Sequence, residues 1–132
     1  LIGPNDDTIG PRFPDMSEPY SRKLLDLAER TAIDLKIKVH RGVFVGVAGP
    51  NLETRAEYRF LRGIGADIVS MSTVPEVIVA RHMNMEVLGL SIVTDMCLPD
   101  ALEPADHIEI MKAAQKAEPK LTRLVREVLR RL

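Results

Sequence analysis

Apolar and polar positions fall into two periods along this chain. Leu24, Leu25, Leu27, Ala28, Ala32 and Leu35 recur at helical spacing and predict an amphipathic helix, with Ser17 as its cap and Pro19 in its first turn. Short β-branched runs follow: Val-Phe-Val-Gly-Val-Ala at 43–48, Ala66 to Met71, and Val87 to Thr94. Each predicts a strand, and the third is apolar enough to be central. Between them, residues 54–63 predict a helix carrying Ala56, Tyr58, Phe60 and Leu61, ended by Gly63 and Gly65. A second helix is expected from Pro75 to about Met83, with Thr73 and Glu76 at capping-box spacing. Residues 96–105 are expected as loop. A last helix runs from about Asp106, with Pro119 expected to kink or split it. The Pro-, Gly- and Asp-rich opening to Pro19 is expected to be irregular.

A helix followed by three strand–helix units predicts an α/β fold with parallel strands and right-handed crossovers. Three loops then leave one edge of the sheet: Ala48–Thr54, Met71–Glu76 and Thr94–Cys97. Open α/β sheets bind ligands along that carboxyl edge. A carboxylate (Glu53), a hydroxyl (Ser72) and a second carboxylate (Asp95) are expected to converge there, which suits a small polar ligand. Three strands make a thin sheet, so more of it is expected outside this chain, and the opening without Met agrees with a fragment.

Composition narrows the classes. The 132 residues fit one domain, 45% hydrophobic and 28% charged, as in ordinary globular proteins. With 18 basic against 19 acidic side chains the net charge is -1, so no basic excess points to nucleic acid. The apolar runs are too short to span a bilayer, and no signal-peptide pattern is visible. The single cysteine, Cys97, has no internal partner, and a reducing, cytoplasmic setting is the simple reading. No His/Cys/Asp spacing suggests a metal.

Several motifs together resemble the trimeric purine nucleoside phosphorylase family, which also contains methylthioadenosine phosphorylase. They are Gly3-Pro4-Asn5-Asp6 with Gly10-Pro11-Arg12-Phe13-Pro14; Ala48-Gly49-Pro50 with Glu53-Thr54 and Ala56-Glu57; Gly65-Ala66-Asp67; and Met71-Ser72-Thr73-Val74-Pro75-Glu76-Val77 continuing to Ala80-Arg81. The likeness spans the chain but only the carboxyl-terminal half of that family. It implies a three-layer α/β/α fold with a mixed, mainly parallel sheet, of which residues 1–132 are the carboxyl-terminal portion of a single domain. It implies a pentosyltransferase of purine salvage: phosphate cleaves the N-glycosidic bond of a purine nucleoside, giving free base and (deoxy)ribose 1-phosphate. The partners implied are nucleoside, phosphate and a homotrimer, with no cofactor, nucleic acid or membrane.

The resemblance also assigns residues. Glu53 corresponds to the carboxylate that grips the N1–N2 edge of a 6-oxopurine. Met71 packs under the ribose, Ser72 binds phosphate, and His107 lies near the 5′-hydroxyl. Phe13 covers the sugar of a neighbouring subunit. Leu52 stands where an aromatic often stacks on the base, and Phe44 where Tyr is common. Asp95 stands where 6-oxopurine enzymes have Asn and methylthioadenosine enzymes have Asp. Asp95 thus favours a methylthioadenosine phosphorylase or a 6-aminopurine-preferring relative, while Glu53 favours a 6-oxopurine. As a donor to purine N7, Asp95 needs a proton, hence dry surroundings or a nearby carboxylate.

Plainer readings stand beside these. Glu53 also suits a helix N-terminus, Asp95 a turn, Ser72 a helix cap, Met71 core packing and His107 a surface helix start. Cys97 reads as a small apolar filler, and His40 and His82 have no inferable partner. The chain lacks a glycine-rich phosphate loop and any basic residue clearly placed for phosphate, so a non-catalytic fragment that only binds or assembles is the competing class.

Overall fold

The computed structural model describes residues 1–132. Helix α1 spans Arg22–Asp34, strand β1 Phe44–Gly46, α2 Arg55–Gly63, β2 Ile68–Ser70, α3 Val74–His82 and α4 His107–Arg130, with a 3₁₀ turn at Pro99–Ala101 before the last. β1 and β2 pair in parallel, Phe44 opposite Ile68 and Gly46 opposite Ser70. Asp67 fixes that register: its Oδ2 accepts from the Val43 N–H at 2.8 Å and its Oδ1 pairs with Arg62 at 2.5 Å. Those two contacts, the backbone one first, hold its carboxyl below the usual carboxylate range.

The helical stripe of α1 is where its spacing puts it. Ala28 and Ala32 pack with Leu124 and Val128 of α4, flanked by Leu27, Leu35, Ile37 and Leu88. Thr31 is fully buried within that stripe, and its hydroxyl donates to the Leu27 carbonyl at 2.7 Å, which removes the cost of an unpaired polar group. This core is small: 10 of 132 residues are buried, while large apolar side chains such as Ile2, Phe13 and Phe60 stay exposed. Apolar surface on that scale marks interaction surface.

Four expectations are corrected. The run Val87–Thr94 is not a strand: a strand exists only through a ladder partner, and the β1–β2 pair does not extend to it. Ser17 does not cap α1. Its backbone N–H and hydroxyl both bond the Asp15 carboxylate at 2.9 Å, and the helix starts after Ser21, whose side chain accepts from the Leu24 N–H. Thr73 forms no capping box, because it adopts φ 70 and ψ -55 and its side chain makes no cap bond. Pro119 does not split α4. Pro119 and Gln115 are both exposed, so the carbonyl that loses its donor is left on the solvent side of the helix.

α1, α2 and α3 end alike. A residue of positive φ follows each C-cap — Lys36 (56°), Gly65 (97°) and Asn84 (58°) — and paired bonds close the turn, as in Ala66 N–H to Leu61 O and Gly65 N–H to Arg62 O. Only one of the three is glycine. Lys36 is exposed, so Lys36→Gly relieves left-handed strain without losing packing. We expect it to raise unfolding free energy by about 0.5–1 kcal/mol in denaturant titration, the roughly 1–2 kcal/mol of strain being partly offset by chain entropy.

The opening loop is tied to α3. Asn5 donates to the Gly10 carbonyl at 2.9 Å, and its Oδ1 meets Nε2 of His82 at 2.9 Å. His82, which has no inferable partner in sequence, is thus buried with one.

Candidate active site

Three loops build one cleft. The first, leaving β1, reaches α2 through Thr54. Its hydroxyl accepts from the Glu57 N–H, while Glu57 Oε2 accepts from the Thr54 N–H at 2.6 Å, forming a capping box. Gly49 brings this loop onto the second. At φ 64° a side chain there is strained, and its Cβ would lie 2.3 Å from Met71 Sδ, so a larger residue forces the Met71 side chain to shift.

The second loop turns sharply between β2 and α3. The Val74 N–H donates to the Ser72 carbonyl at 2.8 Å around Thr73, a rare, strained γ-turn. A β-branched residue at positive φ costs on the order of 1–3 kcal/mol, and such strain clusters at functional sites. The Ser72 N–H donates to Ser70 Oγ at 3.2 Å, and the two hydroxyls lie 3.2 Å apart. Helix α3 begins immediately after, so Ser72 stands at the positive end of its dipole.

The third loop follows the apolar run 87–94. Asp95 Oδ1 accepts from the Met96 N–H at 2.7 Å. Farther along, Asp100 pairs with Arg59 at 2.5 Å, which holds the loop against α2.

Leu52, Glu53, Met71, Asp95 and Cys97 all line a cleft of about 690 Å³, floored by Ile68, Val69 and Ser70. That volume suits a small-molecule ligand. Its walls are largely apolar, with two carboxylates from different loops. A flat, mostly apolar ring bearing N–H donors on its edge matches such a lining. Glu53 is half-buried and Asp95 exposed, so the dry surroundings expected of Asp95 are not present in this chain.

Four expected site residues do not line the cleft. Ser72 is exposed beside it. Phe44 is half-buried in β1. His107 is the exposed first residue of α4, with Ile110 of the next turn reaching the cleft instead. Phe13 is 85% exposed, with the Arg12 guanidinium 5.4 Å from its ring centre, and touches no part of the cleft.

Tyr58, read from sequence as helix packing, also lines the cleft and is 8% exposed. Burial, and then the neighbouring Cys97 thiol and Glu53 carboxylate, push its phenol far above the usual tyrosine range. Its spacing from Thr54, at the fourth helical position, was the available signal. No cluster of three His, Cys, Asp or Glu side chains could hold a metal ion, and no helix is long and apolar enough to cross a membrane.

Comparison with known proteins identifies the family of this arrangement. A model described as the phosphorylase superfamily matches residues 1–130. The chain belongs to the phosphorylase superfamily. It is 47% identical over 132 residues to purine nucleoside phosphorylase 1 of Geobacillus stearothermophilus, covering all of this chain and 48% of that protein. Among solved structures, isoform 2 of purine nucleoside phosphorylase from Schistosoma mansoni, in complex with cytosine and ribose-1-phosphate, superposes with a TM-score of 0.96 at 37% identity, over 100% of this chain and 48% of that one. The Schistosoma purine nucleoside phosphorylase in complex with guanosine gives a TM-score of 0.95 at 36% identity, over 100% and 49%. This superfamily member thus spans about half the length of the curated relatives it matches. Its helices and small parallel sheet are part of an α/β phosphorylase domain.

Proposed function

We propose that residues 1–132 are the carboxyl-terminal portion of a single nucleoside phosphorylase domain, and that the whole protein is a purine nucleoside phosphorylase. The observation that carries this reading is the cleft, where Glu53 and Asp95 converge beside Met71. The 47% identity to a bacterial purine nucleoside phosphorylase supports it. Phosphate attacks C1′ of a purine nucleoside, the C1′–N9 bond breaks with its electron pair on the base, and ribose 1-phosphate and purine leave. No cofactor is required; phosphate is the co-substrate.

In this reading Glu53 accepts from N1–H and the 2-amino group of the base, with Leu52 against its face and Phe44 behind it. Met71 lies under the ribose. Ser72 and the start of α3 hold phosphate, an anion suited to a helix N-terminus. Asp95 faces N7 and the 6-substituent, and to serve as the donor where charge on the leaving base accumulates it must carry a proton. His107 sits near the 5′-hydroxyl. The residues missing from the cleft are assigned to a closed or assembled state. Phe13, exposed on a loop clasped through Asn5 and His82, suits a contact with a neighbouring subunit's sugar in a homotrimer. We expect Phe13→Ala to raise KM for nucleoside about tenfold without changing the circular dichroism or melting of the subunit. A structure of the assembly with Phe13 facing bulk solvent contradicts that role. The reading places the enzyme in cytoplasmic purine salvage.

Asp95 favours a second reading, a methylthioadenosine phosphorylase or a 6-aminopurine-preferring relative. A carboxylate there accepts from a 6-amino group, which adenine has and hypoxanthine lacks. Phosphorolysis assays on the whole protein with inosine, guanosine, adenosine and methylthioadenosine decide between the two. Guanosine and inosine cleaved fastest supports the first. Methylthioadenosine cleaved fastest supports the second. No cleavage of any leaves a non-catalytic binding or assembly protein.

A further inference from the structure

The positions just outside and just inside a capped helix start are normally a pair of apolar side chains that pack on each other. In α2 the cap is Thr54, so the outer position is Glu53 and its counterpart, four residues into the helix, is Tyr58. The pair is therefore a carboxylate and a phenol. The cap itself is complete, with the Glu57 bonds to Thr54 and the Tyr58 N–H donating to the Thr54 carbonyl at 3.0 Å. That geometry sets the Glu53 backbone relative to the Tyr58 ring. Both side chains line the cleft, and Tyr58 is buried in its wall.

We infer that Tyr58 is a positioning residue for Glu53, donating its phenolic hydrogen to one carboxylate oxygen and leaving the other turned toward the ligand's N–H edge. The inference rests on the purine reading of Glu53. A buried phenol takes a partner where one is within reach. The acceptors beside it are Glu53 and the weakly accepting sulfur of Cys97. Of these, the carboxylate is the stronger acceptor, because charge-assisted bonds exceed neutral ones. The phenol stays protonated at neutral pH, held there by burial and by those two neighbours. It therefore has a hydrogen to donate, and a donor fixes a carboxylate's rotamer. Without it, Glu53 is free to rotate toward the open mouth of the cleft.

The test is Tyr58→Phe in the whole protein, which keeps the ring and its packing. Two readouts are needed: KM and kcat for guanosine, and Kd values for guanine and adenine by calorimetry. The expected result is a KM for guanosine raised about tenfold with kcat within about twofold, and a guanine Kd weakened about tenfold while adenine, which offers neither N1–H nor a 2-amino group, is unchanged. A loss of packing alone weakens both bases equally, and that result overturns the inference. So does a variant with wild-type guanine affinity. If the wild-type protein cleaves no nucleoside and binds no purine, the phosphorylase reading itself fails and this inference falls with it. A wild type that cleaves guanosine beside an unaltered Tyr58→Phe leaves the reading intact and removes only Tyr58.

Discussion

Replacing Glu53 by Ala in the whole protein is expected to lower kcat/KM for guanosine by at least about a hundredfold and to leave adenosine within a few-fold. Glu53 is half-buried among apolar neighbours in the cleft. A purine bound there loses water from its N1–H and 2-amino group, and the carboxylate replaces both partners. Hydrogen bonds to a charged group contribute roughly 1.5–3 kcal/mol, and leaving buried donors unpaired adds to the loss. A hundredfold corresponds to about 2.7 kcal/mol, so two bonds are sufficient. Adenine lacks both donors and has nothing to lose. Steady-state kinetics on the two nucleosides check this, and unchanged guanosine kinetics remove Glu53 from the base site.

The second large effect is expected at Asp95. A carboxylate turns acceptor oxygens toward the base edge, which suits a 6-amino group and repels a 6-oxo group. A carboxamide offers one acceptor and one donor, and so serves N7 and either substituent. Asp95→Asn is therefore expected to raise the inosine-to-adenosine ratio of kcat/KM about tenfold, the size of one hydrogen bond. Competition assays with both nucleosides in one vessel measure that ratio directly. Equal ratios in the two proteins mean that Asp95 serves the turn, where its Oδ1 already bonds the Met96 N–H, and does not read the base.

The loops that frame the cleft were legible because they depend on local order. The three loops sit where the β-branched runs end, and Gly65 closes α2 as a C-terminal glycine should. What escaped depends on partners. The apolar run 87–94 has every local mark of a strand, but pairing is a property of two segments, and sequence shows only one. The Thr-x-x-Glu spacing occurs at Thr54 and at Thr73, yet only the first forms a capping box. At Thr73 the strained γ-turn takes the backbone out of the capping conformation. Tyr58 looked like packing because a phenol counts as apolar in a helical stripe. Its significance lies in the residue opposite it across the cap. His107 and Phe13 were placed by resemblance alone, and in the single chain they have no neighbour that would bring them to the cleft.

A crystal structure of the whole protein with guanine and phosphate tests most directly whether these loops form a purine site. The expected result is guanine in the cleft between Leu52, Met71 and Asp95, with the Glu53 carboxylate about 2.7–3.2 Å from both N1 and the 2-amino nitrogen, and phosphate at Ser72. Guanine bound elsewhere, or bound in the cleft with Glu53 turned to solvent, contradicts it.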